Sequence, residues 1–177
     1  MKSTTKLVAV AITAVALFFG TNVKAQTTEK SAWRLGIGVE GGIPTGSIFN
    51  KSHGFMLGGT ARLQYGIADN LGLTLTSGYY NFFAKEEDGF KAPNLGIIPV
   101  KAGVKAFFTD NLYAGAEVGA GFGTGSGLNG TNTKLILAPA LGWADQSWDV
   151  GVKYENFSGE GHSFGVVGLR VAYGFAL

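Results

Sequence analysis

The last eleven residues of the chain alternate strictly between large apolar side chains and small or charged ones. The odd positions from Val167 to Leu177 hold Val, Leu, Val, Tyr, Phe and Leu, whereas the even positions hold only Gly, Ala and Arg170. A β-strand has a side-chain period of two residues, so this segment is predicted to be a strand with one apolar face. The fold must then keep that face out of water.

The same alternation recurs along the chain and defines eight candidate strands. They are Trp33–Ile43, Phe55–Tyr65, Leu71–Tyr80, Ile97–Phe107, Leu112–Phe122, Lys134–Trp143, Trp148–Phe157 and Phe164–Phe175. Their lengths of 10–12 residues are close to the ~9–11 residues that a tilted strand needs to cross a bilayer. The sixth is the least regular, because Pro139 interrupts it. No segment has a convincing helical period, so we predict an all-β fold.

Ten charged residues of these strands fall on one parity. They are Arg34, Glu40, Arg62, Lys101, Lys105, Glu117, Asp149, Lys153, Glu155 and Arg170. The opposite parity is apolar or small, as in Leu35, Ile37 and Val39. A Lys or Arg on the lipid face of a barrel costs about 2–4 kcal/mol at mid-bilayer, so lipid enforces such a separation. A soluble lipocalin-like barrel, the alternative, would hold its apolar parity inside.

The connections between the strands alternate in length. Residues 66–70, 108–111 and 144–147 are short turns that carry Asp with Asn or Ser, whose side chains bond nearby backbone groups. The other connections are 44–54, 81–96, 123–133 and the shorter but Gly-rich 158–163. Outer-membrane barrels have short periplasmic turns and longer extracellular loops. The sequence therefore predicts an eight-stranded antiparallel transmembrane β-barrel with both termini on the periplasmic side.

The N-terminus has the layout of a secretory signal peptide. Two lysines, Lys2 and Lys6, precede an apolar run, Leu7–Phe19. After it, Val23–Ala25 fits a small-x-small cleavage site. The run is short for a transmembrane helix, and an uncleaved anchor is the alternative. We therefore expect a cleaved signal peptide over residues 1–25, a barrel domain over residues 26–177, and export to the outer membrane of a Gram-negative bacterium.

Charge and cysteine content exclude several functions. Removal of the signal takes three of the 14 basic residues and leaves 11 against 12 acidic ones, a net charge of −1. We therefore expect no nucleic-acid partner. The chain has no cysteine, which excludes disulfides, thiol catalysis and Cys-based metal sites.

The ten strand charges are the candidate functional site. An eight-stranded barrel is just wide enough for its side chains to fill the interior. A hairpin through residues 108–111 brings Glu117 within cross-strand reach of Lys101 and Lys105, and the last hairpin brings Arg170 near Asp149 and Lys153. Two interpretations are open: a closed, salt-bridged plug, or a narrow gated polar pore.

Other polar features of the sequence carry weaker signals. We interpret His53 and His162 as surface imidazoles, and residues 85–88 as a solvated acidic loop without metal-binding spacing. Residues 123–127 form a Gly-rich loop tip that lacks the context of a phosphate-binding motif. We therefore expect no cofactor and no metal. Seven aromatic residues near strand ends suit girdles at the membrane surface: Tyr65, Tyr79, Trp143, Trp148, Tyr154, Tyr173 and Phe175.

The signal, the eight strands and the ending Leu169–Leu177 resemble small bacterial outer-membrane β-barrel proteins. The tract Gly41–Gly46 followed by Ala68–Leu71 resembles the barrel proteins of Bacteroidetes-type bacteria. This resemblance implies a C-terminal strand that the barrel assembly machinery reads. Such strands usually end in an aromatic residue, whereas this chain ends in Leu177, two residues after Phe175.

The final hairpin, Tyr154–Gly159 with Val167–Arg170, also resembles that of the outer-membrane lipid A deacylases. Their chemistry needs a His two residues before the nucleophilic Ser, as its general base. Asn156 occupies that position before Ser158 in this chain, and an amide cannot take the proton. The mechanism is therefore not carried over.

Three functions follow, in order of preference. The first is a non-enzymatic structural, surface-interaction or accessory protein with a closed, charged interior. The second is a small porin-like channel, and the third is a lipid-modifying hydrolase. The expected partners are outer-membrane lipid and lipopolysaccharide, the barrel assembly machinery during biogenesis, and an unidentified protein.

Overall fold

The computed structural model describes residues 30–46, 49–87, 90–91, 94–124, 133–159 and 163–177. The predicted signal peptide lies outside these residues. The elements in the described part are β1 Trp33–Thr45, α1 Phe49–Ser52, β2 His53–Ala68, β3 Leu71–Ala84, β4 Glu86–Glu87, β5 Phe90–Lys91, β6 Leu95–Phe107, β7 Leu112–Thr124, β8 Thr133–Ala144, β9 Trp148–Ser158 and β10 Phe164–Ala176. Within them, no helix is long and apolar enough to span a membrane.

Eight of the strands close into one antiparallel barrel. Their order around the barrel is β1, β10, β9, β8, β7, β6, β3 and β2. The first and last strands pair with each other from Arg34 opposite Ala176 to Thr45 opposite Gly165. The predicted fold and its eight strands are confirmed. Most strands extend a few residues beyond the predicted bounds, while α1 and the small β4–β5 hairpin were not predicted.

The short connections lie together at one end of the barrel, called the turn end here, with the described chain ends. The other connections lie at the opposite end, called the loop end. At the turn end the Asn111 side-chain amide donates to the carbonyl of Ala144 at 2.9 Å, which joins two neighbouring turns. The backbone N–H of Leu177 donates to the carbonyl of Trp33 at 3.1 Å. These bonds satisfy backbone groups that the barrel ladder does not reach.

Two prolines lie where a ladder has a gap. Pro139 pairs with Ala116 of β7, but the β8–β9 pairs stop at Leu137 and resume at Ala140. Pro99 likewise pairs with β7, and its ladder to β3 is interrupted. Proline has no N–H to donate, so each of these two strands lacks ladder pairs toward one neighbouring strand only.

The two faces of the barrel wall follow the predicted parity. The predicted outward residues are exposed or half-buried, as in Ile37 at 56% exposure and Val39 at 62%. The opposite parity points inward and forms two kinds of interior. Charged and hydroxyl side chains fill the middle, and apolar side chains fill the loop end. The turn end combines charged side chains with a small hydrophobic cluster of Phe107, Tyr113 and Ala144.

Candidate functional site

The ten predicted charges all point into the barrel. Nine of them are buried, from Lys101 and Glu155 at 0% exposure to Glu117 at 9%, and Arg34 is half-buried. They come from six of the eight barrel strands. Of the two strands that contribute none of the ten, β3 supplies Thr74, Thr76 and Tyr80 to the same interior.

Glu40 of β1 is held by four residues from four strands. Its Oε1 accepts a hydrogen bond from Thr60 at 2.9 Å and lies 3.3 Å from Arg170 Nε. Its Oε2 accepts a bond from the Tyr80 hydroxyl at 2.7 Å and from the Lys153 ammonium. This one carboxylate therefore links both sides of the seam where the barrel closes.

Two lysines share the remaining carboxylates in the middle of the barrel. Lys101 Nζ lies 2.5 Å from Glu155 and 3.4 Å from Glu117. Lys153 Nζ lies 3.0 Å from the other Glu155 oxygen. Both ammonium groups also donate to the Tyr80 hydroxyl, at 3.1 and 3.0 Å. Tyr80 is thus bonded to a carboxylate and to two cations at once.

A second cluster surrounds Asp149 toward the turn end. Its Oδ2 lies 2.7 Å from Lys105, 3.5 Å from Arg170 and 3.8 Å from Arg62. Its Oδ1 accepts a hydrogen bond from Tyr113 at 2.7 Å. Arg62 reaches back to Glu117 at 3.2 Å and so connects this cluster to the first.

The strand registers explain which predicted contacts form. Gly103 faces Glu117, so Lys101 and Lys105 are both diagonal to it. Lys101 bonds Glu117, whereas Lys105 reaches across the interior to Asp149. Gly151 faces Arg170, which places Asp149 on the diagonal and within 3.5 Å.

Each interior carboxylate has at least two cationic partners. Taking a charge out of water costs several kcal/mol, which only close pairing and further hydrogen bonds offset. Thr60, Thr76, Tyr80 and Tyr113 supply those further bonds. Each of the four carboxylates is therefore compensated, and four of the cations are each shared by two carboxylates: Arg62, Lys101, Lys153 and Arg170.

An aromatic layer at the loop end was not predicted from the sequence. It packs Phe82, Phe157 and Phe164 across the interior, with Phe157 and Phe164 stacked at 4.8 Å between ring centroids. Phe49 of α1 lies over this layer and stacks on Phe164 at 3.9 Å. The available signal was that inward positions next to the loops are apolar, as in Met56 and Phe82, rather than charged.

The prediction of a surface imidazole at His53 is wrong. Its side chain is buried at 8% exposure, its ring stacks on Phe49 at 4.5 Å, and Nδ1 lies 3.0 Å from the Ser52 hydroxyl. His53 therefore belongs to the closure of the loop end. His162 and residues 125–127 lie outside the described residues, as do the side chains of residues 86–88. No cluster of possible metal ligands occurs in the described part of the chain.

Ser158, the nucleophile position in the hydrolase hypothesis, is hydrogen-bonded to the residue two positions before it. Ser158 Oγ donates to Asn156 Oδ1 at 2.5 Å. The amide oxygen thus accepts the hydroxyl proton in a hydrogen bond but has no basicity with which to remove it.

The turn end of the interior holds a small cavity of about 10 Å³. Its walls are Arg34, Gly36, Arg62, Gln64, Asp149, Arg170 and Gly174. Arg34 Nη1 donates to the backbone carbonyl of Asp145 in the β8–β9 turn at 2.8 Å. This contact fixes the side chain across the turn end of the barrel.

No family model and no curated protein sequence matches this chain. Its structure is similar to that of Ail, the attachment invasion locus protein of Yersinia pestis, with a TM-score of 0.60 at 15% identity over 83% of this chain and 100% of that one. It is also similar to the N-terminal β-barrel domain of Pseudomonas aeruginosa OprF, with a TM-score of 0.58 at 14% identity over 82% and 98% of the two chains. A de novo designed transmembrane β-barrel gives 0.52 at 16% identity over 84% and 99%. The chain therefore shares the closed eight-stranded barrel fold of the outer-membrane protein Ail.

Proposed function

We propose that this protein is an integral outer-membrane barrel with a closed interior and a non-enzymatic structural, surface-interaction or accessory role. The observation that carries the proposal is the filled interior. Glu40, Tyr80 and Lys153 meet in its middle, and the aromatic layer under Phe49 covers its loop end. In such a protein the barrel is a rigid support, and the function resides in the loops that it presents.

The outer wall supports placement in a membrane. Closure leaves no free strand edge, and every backbone group in lipid needs an internal partner. Outward aromatics lie near both ends: Trp148 and Tyr173 touch edge to face at the turn end, while Tyr79 and Tyr154 are exposed near the loop end. Rings at these two levels suit the headgroup regions of a bilayer. The turn end then faces the periplasm.

The packing argues against the channel alternative. A pore through this barrel would be lined by Arg34, Arg62, Lys101, Lys105 and Arg170. All five are engaged: the last four pair with carboxylates, and Arg34 bonds a backbone carbonyl. An ion that crosses would have to displace these pairs and then the aromatic layer.

Conductance in planar bilayers tests the closed interior. The refolded protein, first shown to be folded by heat-modifiable migration on a gel, is expected to give no stable stepwise currents. A variant with Tyr80, Phe82 and Phe157 all replaced by Ala widens the interior and serves as the conducting control. Stable open steps from the unmodified protein would overturn the proposal, whether or not the control variant folds.

Location and partners need a separate experiment. We expect the protein to sediment with the outer membrane and to lose the segment 1–25 on export. Recognition by the barrel assembly machinery and contact with lipopolysaccharide are part of the same proposal. Purification in mild detergent with tagged protein, compared with a variant whose loop residues 125–132 are replaced by a Gly-Ser linker, would reveal a loop-dependent protein partner. Recovery of the protein in the soluble fraction would contradict the membrane assignment.

A further inference from the structure

The cavity at the turn end carries more positive charge than its partners neutralise. Three guanidinium groups, those of Arg34, Arg62 and Arg170, line it together with a single carboxylate, Asp149. That carboxylate is already shared by Lys105, Arg62 and Arg170 and also accepts the Tyr113 hydroxyl. Arg62 and Arg170 also pair with Glu117 and Glu40, whereas Arg34 has no carboxylate partner among the described residues. The six cations and four carboxylates of the interior leave a net charge of +2, and the one anion in these walls has no free oxygen.

Two guanidinium nitrogens at this cavity lack an acceptor. Arg34 Nη2 and Arg170 Nη2 are buried, and neither has a hydrogen-bond partner among the described residues. The Arg170 side chain is only 3% exposed, so solvent does not satisfy it in place of a partner. A buried charged donor without an acceptor costs more than a neutral one, because more solvation is lost on burial. Such donors on one cavity favour an anion within it.

The size of the cavity sets the class of anion. A volume of about 10 Å³ is near the minimum that admits a single water-sized particle. A monatomic halide is somewhat larger than water, but it would displace fewer side-chain atoms than a polyatomic oxyanion such as phosphate or sulfate. We propose that the turn end of the barrel holds one monatomic halide, chloride in the cell, between Arg34 and Arg170. The ion would neutralise the positive charge that the four interior carboxylates leave over, at the end where Arg34 has no carboxylate partner among the described residues.

Gly36 offers a way to close this site without changing any charge. A Cβ atom added there would lie 3.5 Å from Arg170 Nη2 and no closer than 3.5 Å to any other group outside its chain neighbours. That is ordinary van der Waals contact, so Gly36→Ala fits the fold and places a methyl group in the cavity. Gly59→Ala is the matched control, because a Cβ there meets nothing within 4 Å.

The test compares unfolding of the full chain in detergent with sodium chloride, bromide or gluconate at equal ionic strength. At ten times the dissociation constant, a bound halide raises the midpoint by about 3–6 °C relative to gluconate for a barrel of this size. We expect this shift in the unmodified protein and in Gly59→Ala, and its loss in Gly36→Ala and in Arg34→Gln. In crystals that contain bromide, we expect an anomalous diffraction peak between the guanidinium groups of Arg34 and Arg170.

Each other outcome overturns the inference. Equal midpoints in chloride and gluconate for the unmodified protein mean that water, and no anion, fills the cavity. A halide shift that persists in Gly36→Ala means that the ion binds elsewhere. An oxyanion that stabilises the unmodified protein and Gly59→Ala, but not Gly36→Ala or Arg34→Gln, contradicts the size argument.

Discussion

Glu40 and Arg170 face each other across the seam where the first and last strands close the barrel. They are register partners on β1 and β10, and Arg170 Nε lies 3.3 Å from Glu40 Oε1. Neither side chain is more than 3% exposed. The pairing of β1 with β10, which closes the barrel, therefore also forms one of the ion pairs of the interior.

This pair is expected to be strongly coupled. Glu40→Gln and Arg170→Gln each leave buried charges without a partner, and each should lower the free energy of unfolding by about 3–5 kcal/mol. The double variant should lose less than the sum, by about 0.5–3 kcal/mol. Urea unfolding followed by tryptophan fluorescence measures all four proteins.

The control for this cycle pairs Arg170→Gln with Glu155→Gln. Glu155 bonds Lys101 and Lys153, and Arg170 does not appear among its ion pairs. A smaller coupling is expected there. Additive losses for Glu40 and Arg170, within about 0.5 kcal/mol, would show that they do not act as a pair.

The hydroxyl of Tyr80 is expected to stabilise the interior. It donates to Glu40 and accepts from Lys101 and Lys153, so Tyr80→Phe removes one acceptor shared by two ammonium groups. The expected loss is about 1–3 kcal/mol of unfolding free energy. Tyr79→Phe is the adjacent control, because Tyr79 points outward and is 48% exposed. Equal effects of the two variants would show that the hydroxyl does not bind the interior together.

The inward position of the charges could be predicted because it depends on parity alone. A strand places alternate residues on opposite faces, so Glu40 and Arg170 had to share a face with the other eight charges. The diagonal contact of Glu117 with Lys101 also follows, since a short turn fixes the register of its hairpin. These features need only the local sequence.

Contacts across the interior could not be predicted in the same way. Lys105 bonds Asp149, which lies on β9, three positions away in the order of strands. Such a distance depends on the tilt and stagger of all eight strands, which no local pattern encodes. The aromatic layer was missed for a related reason, since Phe49 belongs to a one-turn helix in a connection without periodicity. The burial of His53 follows from that same stacking.

A side chain at Gly174 is expected to displace Arg34. A Cβ atom there would overlap Nε and Nη2 of Arg34, and would push that side chain from the carbonyl of Asp145. Because the end of the half-buried Arg34 side chain can move, the expected cost is that of the lost hydrogen bond, about 0.5–1.5 kcal/mol. Gly59→Ala, on the open outer wall, should change the unfolding free energy little or raise it. Equal stability of Gly174→Ala and the unmodified protein would contradict the position of Arg34.

Asp145 is expected to make the β8–β9 turn sensitive to acid. The backbone N–H groups of Ser147 and Trp148 donate to its Oδ1 at 2.7 and 2.6 Å, and these bonds hold the pKa of the carboxyl below its usual value. The unfolded chain has the ordinary Asp pKa of about 3.9. Because the folded pKa is the lower one, the stabilisation is fully present above that pH and is lost as the pH falls through the folded pKa.

The difference in unfolding free energy between the unmodified protein and Asp145→Asn isolates this charge. Asn keeps an acceptor oxygen but does not titrate, and the other carboxylates contribute equally to both proteins. We expect a constant difference above about pH 4, which shrinks as the solution becomes more acidic. A difference that stays flat, or that grows with acid, would show that the two backbone donors do not favour the charged form. Since this turn lies outside the strands, the effect reports on the turn end without disturbing the ion pairs of the interior.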